Sequence, residues 1–226
     1  MKYLFDLDNT LLDEDNARES YLIQVFQQYQ YLIPAISYIE FKKHWSEVIE
    51  KYYDMYVAGK LTFHEQRQYR IKDAFGLSPH NLPIVNEIII NFDAHYQNAW
   101  RCFDDVIPTL TSVKKNDSKI GLITNGESSQ QRAKITKTEI ASYFDIVVIS
   151  SEVGCSKPSK KIFEIACSKL NAHESECYFI GDRIDLDIEG SYKAGMQPIW
   201  LNRKGESKKV PANTIIISNL TEILRK

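Results

Sequence analysis

Six short apolar runs, most of them halting on small polar or acidic residues, constrain this chain more than any other feature. Tyr3-Leu4-Phe5 stops at Asp6, and Ile120-Gly121-Leu122-Ile123 stops at Thr124-Asn125-Gly126. Ile146-Val147-Val148-Ile149 stops at Ser150-Ser151, and Tyr178-Phe179-Ile180 at Gly181-Asp182. Pro198-Ile199-Trp200-Leu201 and Thr214-Ile215-Ile216-Ile217 complete the set. Most are nearly continuous in apolar residues and do not alternate, the pattern of strands buried on both faces of a parallel sheet. Helix-like segments separate them: Leu110 and Val113 with Lys114 and Lys115, Gln130 to Ile140, Pro158 to Leu170, and Leu186 to Ala194. Pro158 suits a first helical turn, and Ile162, Phe163, Ala166 and Leu170 form an apolar stripe behind it. Strand and helix in alternation predict a doubly wound α/β domain.

Residues 15–100 follow another pattern. Phe41, Trp45, Val48, Ile49, Tyr52 and Tyr56 recur at helical spacing, one face of a long helix. Gly59, Gly76-Leu77-Ser78-Pro79 and Pro83 punctuate the stretch into several helices, and no strand-like run is evident. The simplest architecture inserts an all-helical domain, 15–100, after the first strand, leaving a discontinuous α/β core of 1–14 and 101–226.

A chain of 226 residues, 43% hydrophobic and 26% charged, can bury a good core. Its net charge of −2 gives no footing for general nucleic-acid or membrane-surface binding. The longest apolar runs, such as Ile84 to Ile90, are interrupted and too short to span a bilayer. Asp6 and Asp8 sit where a signal peptide would need apolar residues. The four cysteines lack CxxC spacing and read as reduced structural thiols of a cytoplasmic protein. The five histidines form no HxxxH pair and read as surface or packed residues, not zinc ligands.

In an open parallel sheet, ligands bind beyond the carboxyl ends of the strands. Here the first strand delivers Asp6 and Asp8, the second Thr124 and Asn125, the fourth Gly181-Asp182 with Asp185 and Asp187 just after. Lys157 opens the segment after the third strand. Each item alone reads as readily as a turn, a cap or a solvated loop. Their order, each at a strand end or the following helix start, argues for one site of acids, hydroxyl and cation.

Asp6-Leu7-Asp8-Asn9-Thr10, Ile123-Thr124-Asn125-Gly126, Ser156-Lys157-Pro158 and Gly181-Asp182-Arg183-Ile184-Asp185-Leu186-Asp187 resemble motifs one to four of the haloacid dehalogenase-like (HAD) hydrolase superfamily. The helical insertion between motifs one and two resembles its C1-type cap, so the likeness covers the whole chain. It implies a Rossmann-like parallel-sheet core, a mobile helical lid and a Mg2+ cofactor. It further implies Asp6 as nucleophile, Asp8 as general acid/base, and Thr124, Asn125 and Lys157 around the phosphoryl group. Magnesium would take Asp6, the backbone carbonyl of Asp8, Asp182 and Asp187, the last directly or through water. The GDxxxxD spacing favours Asp187 over Asp185, which is left as a helix N-terminal residue.

The residue types suit that chemistry. A carboxylate attacking a phosphate ester must approach an anion, and a hard divalent cation on carboxylate oxygens screens the repulsion. Lys157 and Thr124 can stabilise charge on the equatorial phosphoryl oxygens. Asp8 can protonate the leaving alkoxide and then activate water. Expelling halide needs no such acid, so Asp8 favours a phosphatase over a 2-haloacid dehalogenase. A phosphomutase and a non-catalytic binding module on the same scaffold are the other readings. A receiver-type domain would carry its accepting aspartate on a later strand and would lack the helical insertion.

The expected substrate is a small phosphorylated metabolite, a nucleotide or sugar phosphate, with neither nucleic acid nor membrane as partner. Asn16 and Arg18 follow the first motif near the expected hinge, where they could face the substrate; a solvated helix position is the preferred reading of Arg18. Trp45, Tyr52, Tyr53 and Tyr56 could stack on a nucleobase, but at helical spacing core of the insertion is the preferred reading. Asp13-Glu14-Asp15 reads as an acidic helix start, and Arg203 to Lys209 as a solvated loop. No feature of the chain sets an oligomeric state.

Overall fold

The computed structural model describes residues 1–225 apart from Pro79 and Asp117, and leaves out the side chains of Val57 and Arg225. The chain forms two compact units, Met1–Glu14 with Trp100–Lys226, and Asp15–Ala99. Trp100, placed by sequence at the end of the insertion, falls in the first unit, where its buried ring lies 5.9 Å from Lys134 Nζ.

In the first unit, strands β1 (Lys2–Phe5), β2 (Lys119–Thr124), β3 (Ile146–Ile149), β4 (Cys177–Gly181), β5 (Gln197–Leu201) and β6 (Ile215–Ile217) form one sheet in the order β3-β2-β1-β4-β5-β6. Every pairing is parallel. The order reverses direction between β1 and β4, and at such a switch the connecting segments diverge to leave a crevice at the carboxyl ends. Phe5 is level with both Leu122 and Ile180. Asp6 therefore leaves β1 beside Gly181 of β4, and its N–H still donates to Ile180 C=O at 2.9 Å.

Leu4, Phe5, Leu122, Ile123, Val148, Phe179 and Ile180 are all fully buried, which explains why their runs do not alternate. Helix α8 (Lys160–Lys169) covers one face with Ile162, Phe163, Ala166 and Cys167. Each such large apolar side chain contributes roughly 1.5–3 kcal/mol by leaving water. This helix starts two residues later than the sequence pattern suggested. Ser156 C=O accepts from Ser159 N–H at 2.9 Å, so Pro158 lies in a turn before the helix. Helices α5 (Val106–Lys115), α6 (Ser128–Lys137), α7 (Ser150–Val153) and α9 (Glu189–Ala194) complete the unit. The helix expected over Leu186 to Ala194 is divided. A π-helical turn, Ile184–Ile188, precedes α9, because Asp187 and Ile188 N–H both donate to Arg183 C=O, at 2.8 and 3.2 Å.

The second unit consists of most of α1 (Glu14–Tyr29) with α2 (Tyr38–Val57), α3 (Phe63–Phe75) and α4 (Leu82–Asn98). Ser37 with Glu40, and Thr62 with Glu65, form capping boxes that start α2 and α3. Gly76, with φ of 61°, ends α3 in the left-handed conformation that glycine adopts without steric cost. The α2 stripe is buried at Phe41, Trp45, Val48 and Tyr52, whereas Tyr53 is exposed, so only part of the aromatic set is core. Among the described residues, no helix is long and apolar enough to cross a membrane.

Candidate active site

Four stretches of the first unit meet at the carboxyl ends of β1 and β4. Asp6 and Lys157 are buried, and Lys157 Nζ donates to Asp6 Oδ1 at 2.5 Å and to Asp187 Oδ1 at 2.6 Å. The π-helical turn carries Asp187 inward, where its Oδ2 accepts from Arg183 N–H at 3.0 Å. Asp185, two residues earlier, is exposed and pairs with Arg183 at 2.6 Å, outside the cluster. Gly181 is needed for this close approach, because a Cβ there would collide with the Asp187 carboxylate.

Asp6, Asp182 and Asp187 bring carboxylate oxygens within 4.8 Å of one another. Three carboxylates against one ammonium leave an excess of two negative charges when all are ionised. Burial, first of all, pushes the Asp6 carboxyl well above the ordinary range; Lys157 opposes this, while Asp187, Asp182 and Asp8 add to it. Asp182 is pushed up to about 7 by burial and then by Asp187. Burial would lower the Lys157 ammonium, but Asp187 and Asp6 outweigh it and hold its pKa raised, so it stays charged. Asp182 Oδ1 is buried and has no hydrogen-bond partner among the described residues. Buried polar atoms are seldom left so. An orphaned carboxylate oxygen, an excess of negative charge and an all-oxygen donor set fit a hard divalent cation such as Mg2+.

Asp8 is held by α6. Lys134 Nζ donates to Asp8 Oδ1 at 2.7 Å, and Gln131 Nε2 donates to Asp8 Oδ2 at 3.0 Å. The same Gln131 amide donates to Thr124 Oγ1 at 2.7 Å, tying the hydroxyl at the end of β2 to the carboxylate after β1. Lys134 is buried and also pairs with buried Glu14 at 3.1 Å. Glu14 thus does more than start a helix: it is a buried counter-charge. Sequence reading missed Gln131 and Lys134. Their one signal is their i, i+3 spacing on the helix after Thr124, which puts a lysine on a face that also buries Ile135.

Asn125, expected among the phosphate-binding residues, has both ends of its amide committed elsewhere. Its Oδ1 accepts from Lys157 N–H at 2.8 Å and its Nδ2 donates to Lys157 C=O at 3.0 Å. Its side chain fixes the backbone that carries Lys157. Arg203, read from sequence as part of a solvated loop, instead makes a two-pronged pair with buried Asp105, at 2.8 and 2.9 Å. It also donates to Thr10 C=O at 3.0 Å, bracing the loop after Asp8. Chemically, the arrangement offers a buried carboxylate beside a fixed cation, a hydroxyl, a cation site and a second, independently held carboxylate two residues on.

Known proteins match this chain closely enough to place it. The family model described as haloacid dehalogenase-like hydrolase matches residues 3–201. Human N-acylneuraminate-9-phosphatase is 28% identical over 236 aligned positions, covering 97% of this chain and 90% of the relative. The pyrimidine 5'-nucleotidase YjjG of Escherichia coli is 38% identical over 117 positions, covering 51% of this chain and 52% of the relative. A magnesium-bound HAD hydrolase of Bacillus subtilis superposes with a TM-score of 0.79 at 20% identity, covering 99% of this chain and 96% of that one, a likeness of fold.

Proposed function

Because this chain belongs to the haloacid dehalogenase-like hydrolase family, we propose that it is a magnesium-dependent phosphatase acting on a small phosphomonoester. The observation that carries this reading is the buried Asp6 carboxylate, which shares Lys157 with Asp187 and has Asp182 and Asp8 as neighbours. Relatives named as a phosphatase and as a nucleotidase support the same reading. Substrates of nucleotide or sugar phosphate type are the candidates.

In the first step an Asp6 carboxylate oxygen attacks phosphorus and the bond to the leaving oxygen breaks. Asp8, in its acid form, gives its proton to that oxygen, so an alcohol departs and Asp6 carries the phosphoryl group. In the second step the Asp8 carboxylate takes a proton from water, whose oxygen attacks phosphorus. The bond to Asp6 then breaks, and phosphate and free Asp6 are regenerated. General acid–base help of this kind is worth about 10²–10⁴-fold. Lys157 and Thr124 hold the phosphoryl oxygens, and Asn125 positions Lys157 from behind. Asp6 and Asp182 would hold magnesium, with the Asp8 carbonyl and Asp187 directly or through water. When bound, the ion screens the repulsion between carboxylate and phosphate. Asp15–Ala99 is assigned as the cap that admits substrate and excludes water.

Asp6→Asn should abolish hydrolysis of p-nitrophenyl phosphate while the circular dichroism spectrum is retained, and chelation of magnesium should stop the wild type. Full activity in Asp6→Asn refutes the nucleophile. Metal-independent halide release from 2-haloacids supports the dehalogenase in its place.

A further inference from the structure

A threonine hydroxyl can serve a phosphoryl group only as a donor, because the phosphoryl oxygens carry negative charge and accept. The hydroxyl has one proton, and any nearby acceptor can take it. What occupies its lone pairs therefore decides whether that proton faces the substrate. At Thr124 the neighbour is Gln131, buried on α6, whose Nε2 donates to Thr124 Oγ1 at 2.7 Å. A second contact, from Thr124 Oγ1 to Asn125 C=O at 3.4 Å, is longer than an O–H donor prefers.

The amide is fixed from its other side. Its Nε2 also donates to Asp8 Oδ2 at 3.0 Å, while Lys134 Nζ holds the second Asp8 oxygen at 2.7 Å. A carboxylate only accepts, so the end of Gln131 that meets it must be the NH2 and not the carbonyl. That nitrogen has two protons, one for Asp8 and one for Thr124. Packing holds the side chain as well. A Cβ at Gly126 would lie 3.1 Å from Gln131 Cδ, so the glycine after Asn125 lets the amide lie against the loop. Asp8, Thr124, Gly126, Gln131 and Lys134 all belong to the first unit.

We propose that Gln131 is a positioning residue for phosphoryl transfer: by donating to Thr124 Oγ1 it fills an acceptor position of that hydroxyl and turns its proton toward the phosphoryl oxygens. The proposal rests on the phosphatase reading above. In this role Gln131 touches no reacting atom and acts through Thr124. Replacing its amide by a carboxylate inverts the bond. Gln131→Glu keeps the length and shape of the side chain, yet in its ionised form it accepts where Gln131 donates, and so draws the Thr124 proton away from the substrate.

The test uses the full chain with magnesium, p-nitrophenyl phosphate as substrate and inorganic phosphate as competitive inhibitor. For this ester kcat/KM reports phosphoryl transfer to Asp6 with little demand on the Asp8 proton, so it isolates the groups that hold the phosphoryl oxygens. Thr124→Val should lower kcat/KM and raise the phosphate inhibition constant, each by about 10-fold or more, the worth of one donor to a charged oxygen. Gln131→Glu should match it. Gln131→Met removes the donor without inverting it and should fall between, at about 3-fold. In the Thr124→Val background both Gln131 changes should cost less than about 2-fold, since the hydroxyl they act on is gone. Thermal melts report whether the variants fold; if Gln131→Glu does not, Gln131→Met with and without Thr124→Val decides. Wild-type values in Thr124→Val or in the Gln131 variants overturn the positioning role and leave the phosphatase reading standing. So does an equal loss from the Gln131 changes with and without the Thr124 hydroxyl. A wild type that fails to hydrolyse p-nitrophenyl phosphate overturns the phosphatase reading, and the positioning role with it.

Discussion

Asp182→Asn should make the metal-free protein more stable at pH 8, although Asp182 belongs to the proposed site. Its carboxyl is pushed from 3.8 to about 7, chiefly by burial and next by Asp187. An acid whose folded pKa is raised favours folding least when it must be ionised. Below about pH 4 both states hold the proton and nothing is lost. Between about 4 and 7 the unfolded state releases its proton first, so stability falls as pH rises. Above about 7 the loss is complete. At 1.36 kcal/mol per pH unit the interval sets a ceiling of about 4 kcal/mol, and relaxation among the coupled carboxyls reduces this to about 2 kcal/mol. For a chain of this size that is a rise in melting temperature of roughly 4–8 °C. Asparagine keeps the shape and removes the charge. Melts of both proteins at pH 4 and pH 8 in a chelator, repeated at pH 8 in magnesium, check this. The gap should vanish at pH 4 and reverse in magnesium, since a ligand at about 100 times its Kd adds roughly 2.7 kcal/mol to the wild type alone. A variant that melts below the wild type at pH 8 without metal, or that gains as much from magnesium, refutes the reasoning.

Other perturbations probe separate parts of the site. Lys134→Met removes the ammonium that holds Asp8; it should lower kcat on alkyl phosphates at least about 10-fold more than on p-nitrophenyl phosphate, whose leaving group needs little protonation. An equal loss on both substrates would show that Lys134 does not act through the acid. Gly181→Ala drives a Cβ into the Asp187 carboxylate; a stability loss of about 1–3 kcal/mol and a weakened magnesium response are expected in melts, and a wild-type response would contradict the geometry. Arg203→Met leaves buried Asp105 without its fork; denaturant unfolding should register a loss of about 3–5 kcal/mol, and a change under 1 kcal/mol would mean that water replaces the pair.

The α/β core was legible because a strand buried on both faces must be apolar along its length, and because each such run stops where the chain leaves the sheet. Phe5, Ile123 and Ile180 report their burial directly in their neighbours' composition. Asp6, Lys157, Asp182 and Asp187 were legible as candidates for a related reason: polar residues at strand ends have few structural explanations when four of them occur in order. The capping boxes at Ser37 and Thr62 are likewise local, each settled within four residues.

What depends on distant partners could not be read locally. Asp185 and Asp187 look alike in sequence, and only the π-helical turn decides that one pairs with Arg183 in the open and the other with Lys157 in the interior. Glu14, Lys134 and Arg203 look like solvated charges, yet each meets a counter-charge 98 or more residues away: Glu14 meets Lys134 across 120 positions and Arg203 meets Asp105 across 98. Asn125 reads in sequence as a phosphate ligand, and only the structure shows that its amide also holds the Lys157 backbone across 32 positions. By itself, then, the sequence determined the strands, their order of chemistry and the helical insertion, because hydrophobic periodicity is a property of neighbours along the chain. Only the tertiary structure decided which charges face one another, because electrostatic pairing depends on distance through space, and in this fold the closest partners are remote in the chain.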